Sequence, residues 1–210
     1  MAVVTISRQF GAGGITLGRK IAKNLGYDFF DNEIIQMVAK QARVSTRWVE
    51  SMEKEAGGKV QRIISGLVSR SFMDRFLEDK YGYIDEEIYV DLLHQIIKKI
   101  AEGDNAVILG RGSQYILRDA EWVFHILLVA DTEYRVRFIE EKYELFTKHA
   151  IQMVANEDKR RINLYRKFGK FDYDHWAHYN MILNMGRIDL DHAARMICRL
   201  VQGTPYLVSA

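Results

Sequence analysis

The stretch that decides the fold is "TISRQFGAGGITLGRKIAKNLG", residues 5–26. It continues a β-branched and apolar run, residues 2–6, which is typical of a buried parallel strand. After the glycines, apolar residues recur at near-helical spacing until Gly26, where we expect the helix to end. Such a turn presents free backbone N–H groups at a helix N-terminus, where an anion is favoured. The candidate phosphate-binding residues are Gly11, Ala12, Gly13, Gly14, Ile15 and Thr16.

Two phosphate-binding templates compete for this turn. The dinucleotide template G-x-G-x-x-G needs a glycine where the chain has Thr16, although Asp31 supplies an acid at the expected distance of about 20 residues. The template G-x-x-x-x-G-K-[ST] matches at Gly13, but Arg8 replaces its first glycine and Gly14 its lysine. A turn made only for close packing of the strand and the helix is the third interpretation. On spacing alone, all three stay open.

The rest of the chain alternates between strand and helix patterns. Strands are predicted at 27–30, 106–109, 122–130 and 180–184, and helices at 33–43, 85–102, 133–168 and 188–202. This alternation predicts an α/β fold with a parallel sheet of about five strands and right-handed crossovers. Residues 45–82 have a helical pattern broken by glycines, which indicates an insertion or cover.

Composition favours one sizeable α/β domain, because the chain has 210 residues and 48% hydrophobic content. No apolar stretch approaches the ~20 residues of a membrane span, and no secretory signal pattern opens the chain. The single cysteine, Cys198, lies in an apolar helical pattern, which favours core packing and a reducing compartment. We therefore expect a cytoplasmic protein. The net charge of +2 gives no general argument for nucleic acid.

The strongest local charge lies late in the chain: Lys159, Arg160, Arg161, Arg166, Lys167 and Lys170. Such a run is most often a solvated face, and with nearby aromatic residues it could also form an RNA-binding patch. In a nucleotide-binding α/β protein, a mobile lid over phosphates at about 150–176 is favoured, with Gly169 as its hinge. His175 and His178 are close in sequence but lack a third ligand, so no metal site is predicted from histidines.

These motifs resemble a known family. The turn is similar, without gaps, to the G-A-G-K-G-T-L loop of bacterial cytidylate kinases, and more similar to the S-R-x-F/Y-G-S/A-G-G of the cytidylate kinase-like family. The stretches "AVILGRGSQYILRDA" (106–120), "NEDKRR" (156–161) and "YNMILNMGRIDLDHA" (179–193) resemble later segments of that family. The resemblance implies a P-loop NTPase-type three-layer sandwich with a helical lid, formed by a single domain over 1–210. Residues 45–82 would then be a helical insertion on the acceptor side.

The activity that the resemblance implies is Mg²⁺- and ATP-dependent phosphoryl transfer to a nucleoside monophosphate, CMP or dCMP first. Its partners would be ATP and that monophosphate, with nucleic acid unlikely and no membrane. The turn would wrap the donor phosphates, and the Thr16 hydroxyl would contact Mg²⁺. Loss of one preorganised charge donor typically costs a factor of ~100–1,000 in rate. A cation should therefore replace the missing lysine, with Arg8 the first candidate and Arg19 the second.

The acceptor side has separate candidates. Arg111 follows the third strand between two glycines and could bind a monophosphate bidentately, through two N–H groups of its guanidinium. Asp31 and Asn32 close the second strand and could contact the acceptor. The resemblance implies catalytic contacts for Asp158 and Arg161, although an i, i+3 ion pair would also explain them. The candidate lid residues are Arg160, Arg166 and Lys167.

Two positions depart from the family pattern of cytidylate kinases. Gly112 stands where those enzymes have an aspartate, and Val154 stands where they have a lid arginine. We therefore expect recognition of the base and sugar to differ. These departures, with Gly14, favour a second hypothesis: a nucleotide-binding regulatory protein that has lost turnover. A third hypothesis, a dinucleotide-binding oxidoreductase, is disfavoured by Thr16.

Overall fold

A computed structural model describes residues 2–31, 34, 37, 86–169, 172 and 174–203. The chain divides into two compact units, one formed by residues 1–29 and 104–210 and the other by residues 30–103. The predicted single domain, its insertion at 45–82 and its lid at about 150–176 stay predictions, and residues 45–82 lie outside the described residues.

A five-stranded sheet has the order β2-β3-β1-β4-β5. In chain order the elements are β1 (Val3–Arg8), α1 (Gly14–Leu25), β2 (Asp28–Phe30), α2 (Glu86–Glu102), β3 (Ala106–Leu109), α3 (Ser113–Ile116), β4 (Val123–Val129), α4 (Thr132–Tyr143), α5 (Thr147–Lys167), β5 (Met181–Asn184) and α6 (Leu190–Gly203). The strands β3, β1, β4 and β5 pair in parallel, so their carboxyl ends meet at one edge of the sheet. The predicted α/β fold with five strands is confirmed.

The main core lies between the sheet and the helices α1 and α6, which pack beside each other. Leu17 and Ile21 of α1 and Ala194 and Ile197 of α6 are fully buried in it. Cys198 belongs to the same cluster, as its apolar pattern predicts, and burial raises the pKa of its thiol. This core fixes the helix that follows the glycine turn against the sheet.

The helical pattern over 133–168 corresponds to two helices in the structure, with a short break between them. Asp131 caps α4, accepting the Tyr134 N–H at 2.8 Å. The helix ends at Glu144, whose φ of 52° lies in the left-handed region and whose N–H bonds the Glu140 carbonyl. α5 then begins at Thr147. Neither glycine nor proline marks this break, so the sequence pattern continues across it.

The second unit contains α2, whose apolar face is buried as its spacing predicts. The buried residues of this face are Leu92, Leu93, Ile96, Ile97 and Ile100. From the helix predicted at 33–43, the structure describes Ile34 and Met37, both helical and buried. Among the described residues, no helix has the length and apolarity that a membrane crossing requires. The cytoplasmic location stays a prediction.

Candidate functional site

The six candidate phosphate-binding residues form one turn and the start of α1. Gly13 is the N-cap of α1 with a φ of 76°. The Ala12 N–H donates to the Gln9 carbonyl at 3.1 Å, and the Leu17 N–H donates to the Gly13 carbonyl at 3.0 Å. The N–H groups of residues 14–16 belong to the first helical turn, so they have no acceptor within the helix. Three donors at the positive end of a helix dipole can bind a phosphate.

Gly11 has a separate steric role. Its φ is +86°, and a Cβ built on it would lie 2.7 Å from the Arg135 carbonyl oxygen. The turn can approach α4 this closely only because the side chain is missing. Close packing against α4 therefore explains why residue 11 is a glycine. Gly13 and the residues after it form the N-terminus of α1.

The Arg135–Asp158 ion pair bonds the backbone of Phe10, the residue before the turn. The Asp158 carboxylate accepts the Phe10 N–H at 3.1 Å and the Arg135 guanidinium at 2.6 Å. The same Arg135 nitrogen donates to the Phe10 carbonyl at 3.2 Å, so both backbone polar groups of Phe10 are engaged. The two side chains are only 9% and 23% exposed. Asp158, predicted to be catalytic, thus lies against the backbone of Phe10. This residue leads into the turn at residues 11–16, which is called the phosphate loop from here on.

Sequence reasoning missed Arg135. The helix α4 carries two arginines, and no phosphate-binding motif includes Arg135. A signal is present, because Arg135 lies four residues before the buried Ile139 and therefore shares the apolar face of α4. A charged residue on a buried helical face needs a partner, and here that partner is Asp158.

Arg161 has another partner than Asp158. Its guanidinium donates two hydrogen bonds to Asp174, at 2.7 Å and 2.9 Å, and lies over the Tyr165 ring. Burial alone would lower the pKa of Arg161, but the hydrogen bonds that it donates to Asp174 raise this pKa above its ordinary value. The cation is therefore permanently charged and held in a fixed direction.

Arg8 crosses the start of α1. A Cβ on Gly14 would lie 3.0 Å from Cγ of Arg8, and a Cβ on Gly110 would overlap its guanidinium. Arg8 therefore fills the space that a side chain at position 14 would need. Packing thus links the absence of a lysine at position 14 to the presence of an arginine at position 8. Arg19, the second candidate cation, lies instead over the Phe29 ring at 5.9 Å.

Arg111 has an unusual backbone. Its φ is 58°, between Gly110 at 68° and Gly112 at 71°. The left-handed conformation costs a residue with a side chain roughly 1–2 kcal/mol, and such strain concentrates at functional sites. Among the described residues, no partner bonds the buried Nε of Arg111. The Gly110 N–H donates to the Ile6 carbonyl of the neighbouring strand at 2.9 Å, so this turn follows β3 beside the phosphate loop.

An aromatic side chain covers Gly112. A Cβ on this residue would lie 2.6 Å from the Phe168 ring. Phe168 packs near Tyr115, with ring centroids 6.2 Å apart, and the Tyr165 ring meets Tyr115 edge-on at 5.3 Å. The end of α5 thus rests on the turn that carries Arg111. Gly169 follows directly with a φ of 68°, and its role as a lid hinge stays a prediction.

The remaining predicted residues are more scattered. Thr16 is exposed on the first turn of α1, where the Lys142 ammonium lies 3.5 Å from its hydroxyl. Asp31 is buried directly after β2 and belongs to the second unit. Arg166 is exposed near the end of α5. Outside the described residues and side chains lie Asn32, Lys170 and the side chains of Arg160 and Lys167. Sequence reasoning missed Lys142, which belongs to no motif.

Comparison with known proteins agrees with this fold. The model of the cytidylate kinase-like family matches residues 3–187. A cytidylate kinase from Archaeoglobus fulgidus is 30% identical over 134 residues, which are 60% of this chain and 70% of that protein.

Solved structures show the same fold at low identity. An uncharacterized protein from Eubacterium ventriosum has a TM-score of 0.66 and 19% identity, covering 97% of this chain and all of that one. A shikimate kinase from Bacteroides thetaiotaomicron has a TM-score of 0.51 and 13% identity, covering 96% and 98% of the two chains. These neighbours show a P-loop type of α/β fold, and the family match together with the relative from Archaeoglobus fulgidus supports a nucleoside monophosphate kinase-like role. The chain belongs to the cytidylate kinase-like family.

Proposed function

We propose that the protein is an ATP-dependent nucleoside monophosphate kinase that uses a phosphate loop without a lysine. The observation that carries this proposal is the course of Arg8, whose side chain crosses Gly14 at the helix start and ends at Gly110, beside Arg111. One cation thus connects the loop for the donor phosphates with the turn proposed for the acceptor. Catalysis of phosphoryl transfer depends on alignment of donor and acceptor and on screening of charge, and a cation at this position would contribute to both.

In the proposed reaction, an oxygen of the acceptor monophosphate attacks the γ-phosphorus of ATP. The bond from that phosphorus to the oxygen bridging to the β-phosphate breaks, and ADP leaves. The N–H groups of residues 14–16 would hold the donor phosphates. The Arg8 guanidinium would lie against the charge that develops between donor and acceptor.

A Mg²⁺ ion fits the donor side of this site. The Thr16 hydroxyl is a hard oxygen ligand on an exposed first turn, and Mg²⁺ in kinases takes few protein ligands besides phosphate oxygens. Bound with ATP, the ion would neutralise part of the phosphate charge. Thr16 is the residue that we propose to contact it.

The acceptor side is proposed to rest on Arg111, Asp31 and Asn32. Arg111 would grip the monophosphate, since its strained backbone and its buried Nε fix the direction of the guanidinium. The proposed lid cations are Arg160, Arg166 and Lys167. Arg161 is proposed to make catalytic contacts, with its guanidinium oriented by Asp174. Asp158 is proposed to contribute by positioning the phosphate loop through Phe10.

CMP and dCMP are the first acceptors that we propose. The Phe168 ring fills the space beside Gly112, where cytidylate kinases have an aspartate, so an apolar face replaces an acid at this point. The recognition of the base is therefore expected to differ from those enzymes. The name of the relative from Archaeoglobus fulgidus supports cytidine nucleotides as the starting choice.

The test is ADP formation from MgATP with CMP, dCMP, UMP, AMP and GMP as acceptors. We expect one of these monophosphates to stimulate ADP formation and thereby identify the acceptor. ATP binding without turnover across the panel would favour the second candidate, a nucleotide-binding regulatory protein. The observation that favours that candidate is Val154, which is 3% exposed in an apolar cluster where a lid cation would otherwise stand. Binding of NAD(P) in place of ATP would contradict both.

A further inference from the structure

Lys142 holds a positive charge at the start of α1. It lies in the last turn of α4, and its Nζ is 3.5 Å from the Thr16 hydroxyl oxygen. The same ammonium lies 5.6 Å from the centroid of the Phe138 ring and 5.9 Å from that of Tyr143. Contacts with two rings and a hydroxyl restrict a side chain that is otherwise flexible. The exposed ammonium therefore lies at the start of α1.

Lys142 has no anionic partner in the part of the chain that the structure describes. Two other cations of α4 are paired: Arg135 with Asp158, and Arg137 with Glu133 at 3.6 Å. The N-terminus of α1 carries the positive end of the helix dipole, which repels a cation. An ammonium and three free N–H donors that face the same space are stabilised together by an anion between them.

Lys142 and Arg8 border one narrow cavity of about 40 Å³. The phosphate loop contributes Gly13 and Gly14 to the same walls, and α4 contributes Phe138. Arg8 reaches across Gly14 toward Gly110, whereas Lys142 lies at Thr16. The two cations thus approach the helix start from different elements and in different directions.

We propose that Lys142 contacts the donor phosphates of ATP and supplies, from α4, the point charge that the lysine of a P-loop supplies from the loop itself. This inference rests on the proposed kinase function. A contact with a phosphate oxygen would replace the contact with the Thr16 hydroxyl. Arg8 then serves the side of the loop next to Arg111, so two residues divide the role of one lysine.

The test compares Lys142→Met with Lys142→Arg and the control Lys148→Met. Methionine keeps the length of the side chain and removes its charge, and Lys148 is exposed on α5 and does not line the cavity. Calorimetric titrations would give the dissociation constants of MgATP, MgADP and adenosine for each variant, alongside turnover and melting temperature. We expect Lys142→Met to weaken MgATP and MgADP binding about 10- to 100-fold, as loss of a charge-assisted hydrogen bond does. Adenosine binding should be unchanged, Lys142→Arg should recover most of the loss, and Lys148→Met should resemble the unmodified protein.

Two results would overturn the inference while leaving the kinase proposal intact. In one, the unmodified protein binds MgATP and turns over, but Lys142→Met binds MgATP within about threefold of it. In the other, Lys142→Met loses adenosine binding as much as MgATP binding, which would show a structural role for Lys142. A different result, failure of the unmodified protein to bind MgATP at all, would overturn the kinase proposal and this inference with it.

Discussion

The Asp158 carboxylate lies 2.6 Å from the Arg135 guanidinium, and through this pair the helix α5 holds the phosphate loop. The two residues are 23 positions apart and come from separate helices, yet both bond the backbone of Phe10. Because the pair is mostly buried, the loop is fixed by charge-assisted hydrogen bonds that water screens little. The helices α4 and α5 are therefore connected directly to the backbone that leads into the turn at residues 11–16.

Replacing Asp158 by Ala should lower both stability and donor binding. The change leaves the buried Arg135 charge without its partner, which costs roughly 1–3 kcal/mol. For a protein of this size, about 1 kcal/mol shifts the melting temperature by ~2–4 °C. Calorimetric melting and titration with MgATP would measure the two effects.

The matched control for Asp158→Ala is Glu133→Ala, because Glu133 pairs with Arg137 on the exposed side of the same α4. An exposed pair contributes about 0–1 kcal/mol, so its loss should leave MgATP binding unchanged. Equal effects of the two substitutions would show that the Arg135–Asp158 pair does not position the loop.

Arg8 and Gly14 should behave as one unit in mutagenesis. Arg8→Ala alone should reduce turnover about 100- to 1,000-fold, since it removes the proposed replacement for the lysine. Gly14→Lys alone should also impair the protein, because its Cβ would lie 3.0 Å from Arg8 Cγ. With both changes the new lysine gains the space that Arg8 leaves, so we expect activity above that of either single variant. The ratio kcat/KM for ATP measures this coupling.

An additive outcome for the pair would contradict the packing link between positions 8 and 14. If Arg8→Ala keeps turnover within about threefold of the unmodified protein, the role proposed for Arg8 is wrong. A suitable control is Arg19→Ala, because Arg19 lies over the Phe29 ring and not over Gly14.

Arg111→Gly should separate function from stability. Glycine adopts the observed φ of 58° without strain, so the substitution should stabilise the fold by up to about 1 kcal/mol. The same change removes the guanidinium, so the Michaelis constant of the acceptor should rise at least ~10-fold, as loss of a charged hydrogen bond does. Acceptor titrations at saturating ATP and thermal melting would show the two opposite effects.

Glu144→Gly is the control for Arg111→Gly, since Glu144 is also a left-handed residue, with a φ of 52° at the end of α4. It should gain stability similarly and leave the Michaelis constant of the acceptor unchanged. A normal Michaelis constant for Arg111→Gly would remove Arg111 from the acceptor site.

Local signals explain how much of this architecture the sequence predicts. Gly13 and Gly26 mark both ends of α1 because each adopts a left-handed φ there. The break at Glu144 escapes prediction because a residue with ordinary helix propensity adopts that conformation under tertiary packing. Arg135 and Lys142 are not predicted as site residues because the residue that each contacts lies more than 20 positions away in the sequence. Spacing reports only what lies on one element, so contacts between elements require the structure.

The buried His125 should make stability depend on pH. Burial, as the largest cause, lowers the pKa of its imidazole from 6.5 to about 4, and the Thr5 hydroxyl lies 2.6 Å from Nδ1. The unfolded chain therefore binds a proton between about pH 6.5 and 4 that the folded protein does not bind. Stability should fall as the pH decreases through this window, by up to about 3 kcal/mol. Urea unfolding at several pH values, with His125→Gln beside the exposed-histidine control His149→Gln, measures the slope. The slope should flatten in His125→Gln alone, and an unchanged slope in that variant would show that other groups cause the pH dependence.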